Sequence, residues 1–95
     1  MSKAVDAAIE ALNAKMANGF AGSAKIIIKD EGSILLDTSG ARAGDGEADV
    51  TLTASADTFK GILEGTVNPT AAFMMGKLSV DGNMGLAIQL ASALS

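Results

Sequence analysis

The chain has no cysteine, histidine, tryptophan or tyrosine. Without cysteine there is no disulfide framework, no thiolate nucleophile and no thiolate metal site, which fits a reducing compartment. Without histidine the commonest general base is gone, and any catalysis would have to run on serine and carboxylates. Phe20, Phe59 and Phe73 are left as the aromatic residues, too few for a platform on which single-stranded bases could stack. Charge is sparse as well, at 19% of residues with a net value of −4, and that sign repels a phosphate backbone. Nucleic acid is therefore not an expected partner. No run approaches the roughly 18 to 20 apolar residues of a membrane span, so stable membrane insertion is not expected either. Asp6 and Glu10 break what would be the apolar run of a signal peptide, and the final Ser-Ala-Leu-Ser is not the Ser-Lys-Leu peroxisomal address. The expectation is a soluble, cytoplasmic protein.

What is present is apolar bulk, 48% of 95 residues, enough for one core and one domain over residues 1–95. Val5, Ala8, Ile9, Leu12 and Met16 recur at helical spacing, with Ser2 as N-cap and Gly19 as stop, so a first helix is read from Lys3 to Asn18. Its other face, Lys3, Asp6, Glu10 and Asn13, reads as solvated surface. Residues Lys25 to Lys29 and Ser33 to Asp37 read as strands joined at Asp30-Glu31-Gly32. Ser39 to Glu47, with Gly40, Gly44 and Gly46 and no apolar period, reads as the longest loop. Asp49 to Ala54 alternates cleanly, which marks a strand buried on one face.

Then come Asp57-Thr58-Phe59 and Ile62-Leu63-Glu64-Gly65, a short helix closed by Gly65. Pro69 opens a second short helix that ends at Gly76, and Lys77 to Asp81 forms a further strand. The closing helix, Met84 to Ser95, is polar only at Gln89, Ser92 and Ser95. A helix apolar nearly all round must be covered on most sides, by other helices, an apolar ligand, a second subunit or a membrane surface. The order of elements is α+β, with helices covering one sheet face.

Reactive chemistry is hard to find. Asp30, Glu31, Asp45, Glu47, Asp57 and Asp81 fall where carboxylates form turns or caps. Asp45, Glu47 and Asp49 lack the spacing of a calcium loop, and no metal site or cofactor is expected. Gly76-Lys77 lacks the other residues of a phosphate loop, and Gly82-Asn83-Met84-Gly85 lacks basic flanks. Both read as turns. Flexible, polarizable Met74, Met75 and Met84 suit either an irregular core or a wall that adapts to ligands.

Asn68-Pro69-x-x-Ala72-Phe73-x-x-Gly76-Lys77-Leu78 and Val80-x-Gly82-Asn83-Met84-Gly85-Leu86-Ala87, with the strand and helix signals before them, resemble the sterol carrier protein 2 family over about Lys25 to Leu94. The resemblance implies a twisted, mostly antiparallel sheet of four to five strands under helices. It also implies a tunnel for a fatty acid, fatty acyl-coenzyme A, sterol or phospholipid that is carried or presented, not catalysis. Carried over by position, the tunnel wall is Phe59, Ile62, Leu63, Phe73, Met74, Met75, Leu78, Met84, Leu86, Ile88 and Leu90. Met75 stands where many members have glutamine, and the short final helix implies a shallower tunnel. The alternative from another class is a dimerising or partner-docking module without lipid, in which the C-terminal helix makes a homodimer. A third reading, an accessory to an acyl-coenzyme A enzyme, would place Lys60 and Lys77 at the pocket mouth.

Overall fold

The structure, a computed structural model, describes residues 3–94. It is an α+β arrangement of helix α1 (Lys3–Lys15), strands β1 (Ala24–Ile28), β2 (Gly32–Asp37), β3 (Gly40–Ala43) and β4 (Val50–Ala54), helices α2 (Ala56–Glu64) and α3 (Pro69–Met74), strand β5 (Leu78–Gly82) and helix α4 (Met84–Leu94). The five strands form one sheet in the order β3-β2-β1-β4-β5. Neighbours are antiparallel except β1 and β4, which run parallel at the centre, so the sheet is mixed. Registers Ile26↔Ile34, Ile26↔Leu52 and Leu52↔Val80 carry one apolar row across four strands. Because side chains alternate between faces, that register also puts Ala24, Ile28, Leu36 and Val50 on the same side, where all are buried.

The helices close over this face. α1 contributes Val5, Ala8 and Leu12, with Met16 and Phe20 following it. α1 stops at Lys15, three residues before the expected end. Residues 16–18 make a tight turn in which the Gly19 N–H donates to the Met16 carbonyl. The expected Ser2 cap lies outside the described residues. On the other face, the segment after β3 crosses the sheet to reach β4. It is tied down by Ser33 Oγ donating to the Gly44 carbonyl and by the Lys25–Asp45 ion pair at 3.0 Å.

The segment read as a loop contains β3, which corrects the sequence reading. Gly40-Ala41-Arg42-Ala43 has no β-branched residue, and its pairing is imposed from outside. Asn13 of α1 accepts from the Ala41 N–H at 2.9 Å and donates to the Ala41 carbonyl at 3.1 Å. A side-chain amide thus takes the place of a neighbouring strand, and Asn13 is a tertiary clamp instead of simple solvated surface. Arg42 makes a two-pronged pair with Asp37 across the turn, at 2.8 and 3.1 Å, and these bonds hold the Asp37 carboxyl below its usual range.

Helix ends follow local chemistry. Ser55 Oγ accepts from the Thr58 N–H to cap α2, and Asn68 Oδ1 accepts from Thr70 and Ala71 N–H groups to cap α3. Asn83 Oδ1 accepts from the Leu86 N–H at the start of α4. Gly76 (φ +77°) and Gly82 (φ +100°) both occupy the left-handed region, but their surroundings differ. A Cβ at Gly76 would meet nothing within 4 Å, whereas one at Gly82 would overlap the Asp49 carbonyl oxygen. Gly76→Ala should therefore cost about 1–2 kcal/mol, from backbone conformation alone. Gly82→Ala should cost about 3 kcal/mol or more, because backbone must also move. Urea unfolding of the two variants checks the order, and equal midpoints would contradict it.

Candidate functional site

The core does not fill all the space between helices and sheet. A groove with a cavity of about 320 Å³ opens between α2, α3, β5 and α4, and β4 supplies Leu52 to its lining. Such a volume lies at the small end of ligand sites, which run roughly 300–1,000 Å³. Two features of the chain create it. α3 is only six residues long, fixed at one end by Asn68 and Pro69 and at the other by Gly76, so it cannot cover the whole face of α4. α4 itself is apolar on two sides. Leu90 is buried away from the groove, Ala87 and Leu94 are buried but reach its lining, and Met84, Ile88, Ala91 and Ser92 line it more openly.

Six of the expected wall residues line this groove: Phe59, Ile62, Phe73, Leu78, Met84 and Ile88. Five do not. Leu63 lies in a second groove of about 390 Å³ between α1 and α2, from which the first is separated by Phe59, a residue lining both. Leu90 is fully buried core. Leu86 is half-buried beside Gly22, where an added Cβ would touch its methyl groups. Met74 and Met75 are 80% and 66% exposed and lie outside the lining. The two short helices therefore do not turn all their large side chains into one space. α3 is a helix of less than two turns, and consecutive residues at its end cannot share a face with Phe73.

Other lining residues went unnoticed in the sequence. Val80 is one strand period from Leu78 and was legible from that alternation. Asn68, Thr70 and Ser92 were not, because a cap residue and a polar strip read as solvated surface. No ionisable side chain lines the groove among the described residues, and those residues include no buried polar side chain and no cluster able to hold a metal ion. Lys60 lines the second groove, and Lys77 lines neither. The arrangement can hold an apolar molecule and offers it hydroxyl and amide contacts.

A five-stranded mixed sheet under four helices, with an apolar groove at the α3–α4 end, places the chain among small α+β ligand-binding folds. The model of the SCP-2 sterol transfer family matches residues 3–95, and the chain belongs to that family. Hydroxysteroid dehydrogenase-like protein 2 of Homo sapiens is 43% identical over 68 residues, 65% of this chain and 16% of that protein. Sterol carrier protein 2 of Homo sapiens is 46% identical over 46 residues, 48% of this chain and 8% of that protein. The chain thus spans a small part of these relatives' length.

Among solved structures, apo sterol carrier protein 2 of Yarrowia lipolytica superposes with a TM-score of 0.68 at 29% identity, over 98% of this chain and 75% of that one. Sterol carrier protein 2 of Aedes aegypti, solved in complex with the C16 fatty acid palmitate, gives a TM-score of 0.81 at 20% identity, over 100% and 97%. The second likeness is one of fold. No helix among the described residues is long and apolar enough to cross a membrane.

Phe59, Ile62 and Leu78 are both wall and buried core, so exposure marks only the open part of the wall. Phe73 is 44% exposed and Leu90 is 0% exposed. Leu90→Ala should cost about 2–5 kcal/mol, as deletions in a closed core do, whereas Phe73→Ala should cost no more than about 2 kcal/mol. Met75→Gln should stay within about 0.5 kcal/mol, as exposed substitutions do. Thermal or urea unfolding of the three variants measures this, and a Phe73→Ala loss as large as that of Leu90→Ala would mean that no open groove exists there.

Proposed function

We propose that this chain binds a lipid with one long apolar portion in the groove lined by Phe59, Ile62, Phe73, Leu78, Met84 and Ile88, and carries or presents it without catalysis. The observation that carries this reading is the exposure of large hydrophobic side chains at the groove. Phe73, Met84 and Ile88, at 44%, 48% and 66%, are left open where covering them would be favourable. A bound acyl chain covers them and is itself removed from water. Burying sixteen carbons yields roughly 12 kcal/mol of gross transfer free energy at about 0.8 per CH₂. Micromolar affinity needs about 8 kcal/mol, which leaves room for ordering costs. Membership in the SCP-2 family and the fold shared with a palmitate-bound protein support the same reading.

Purified protein should release close to one lipid per chain on denaturing extraction, read by mass spectrometry, and lipid-free protein should take up a fluorescent acyl lipid. Neither co-purifying lipid nor uptake would overturn the proposal.

The exposure of Met84 and Ile88 on α4 also favours a second reading, in which this helix face pairs with a second copy and no lipid is held. The two readings part on sedimentation equilibrium. The carrier is expected to be a monomer in its lipid-loaded state. A dimer that persists with lipid bound, or that excludes lipid, would favour the second.

A further inference from the structure

The groove is distinguished by what its lining lacks. Among the described residues its lining has no lysine, arginine, aspartate or glutamate. An ionised head drawn against this lining would lose water without gaining a counter-charge, and unpaired charge is the costliest group to desolvate. The net charge of −4 adds repulsion to any anion. Polar atoms are nevertheless present, on Asn68, Thr70 and Ser92.

The orientation of one of them is fixed. Asn68 Oδ1 accepts from the Thr70 N–H at 2.8 Å and the Ala71 N–H at 3.1 Å. Only the oxygen of an amide can accept, so this pair of bonds determines which way round the amide lies. Nδ2 keeps two hydrogens, with no hydrogen-bond partner among the described residues. The backbone N–H groups that start α3 are consumed by the cap, so they offer nothing to an anion. The amide NH₂ remains as a donor on the groove lining, at its exposed rim.

We infer that the groove selects lipids whose head is uncharged and carries an acceptor oxygen, an ester or ketone in preference to an ionised acid, with Asn68 Nδ2 as the donor that meets it. This rests on the lipid-binding reading above and narrows its ligand class. The rival is a head that stays in bulk water, in which case the groove reads only the chain.

The test uses dodecanoate, its methyl ester and dodecane, each below the concentration at which it self-associates, in competition with a fluorescent uncharged acyl probe at neutral pH. The ester should bind on the order of tenfold or more tighter than the ionised acid. Asn68→Asp keeps an oxygen to cap α3, since asparagine and aspartate cap about equally well. It replaces the NH₂ donor with a second carboxylate oxygen, which repels the ester carbonyl. In that variant the ratio of ester affinity to dodecane affinity should fall on the order of tenfold, with the melting temperature confirming that the fold is kept. Dodecanoate binding as tightly as its ester in the unmodified protein would overturn the inference. So would an unchanged ester-to-dodecane ratio in a folded Asn68→Asp protein. If neither ester nor dodecane binds, the lipid-binding proposal itself fails and takes this inference with it.

Discussion

The parallel pairing of β1 with β4 is the constraint on which the rest depends. Antiparallel neighbours can follow one another through tight turns, as β1, β2 and β3 do, but a parallel partner has to be reached by a longer connection. Here that connection contains β2 and β3, and its last leg, residues 44–49, traverses the polar side of the sheet and leaves the apolar side free. Placing β4 beside β1 puts Leu52 level with Ile26 and Ala54 level with Ile28. Everything after β4 must then fit on one side of the sheet. α2 and α3 bridge from β4 to its far neighbour β5, and α4 returns over the face they leave open.

The groove follows from that bridging. α1, α2 and α4 all bury residues in a common core with β1, β2 and β4. α3 buries only Pro69 and Ala72. A longer α3 would have roofed the space between β5 and α4. Gly76 in the left-handed region prevents this by ending the helix after Met74, with the Lys77 N–H donating back to the Ala72 carbonyl. Phe73 is then the last large side chain of α3 on the groove side, and Met74 and Met75 fall on solvent. The opening is thus set by where a helix stops.

Much of this was readable in the sequence because it rests on local chemistry. The Asn68-Pro69 start, the Gly65 and Gly76 ends and the alternation of Val50, Leu52 and Ala54 each encode their structure within a few residues. What stayed hidden depends on distant partners. β3 has no strand signal of its own; it pairs with β2, and Asn13, twenty-eight residues away, bonds both backbone groups of Ala41 on its outer edge. The parallel central pair was likewise hidden, since alternation reports which face a residue takes but not which strand lies beside it. At the groove, the family resemblance placed Met84, Ile88 and Leu90 alike in the wall. It could not show that Leu90, equally apolar, would be closed in as core while Ile88 stayed open, because that depends on which side of α4 meets the sheet.

The same contrast explains why polar residues at the groove escaped notice. Asn68 satisfies the pattern of a helix cap completely, and a residue with one sufficient explanation invites no second. Yet capping uses only the oxygen of its side chain. The amide is a two-ended group, and fixing one end aims the other. Ser92 and Thr70 are similar in kind, with hydroxyls that read as solvation in a sequence and line an apolar groove in the fold. In the proposed lipid site, whose described lining has no charge, such neutral dipoles are the groups a head could meet. Their weight comes from the absence of anything stronger beside them.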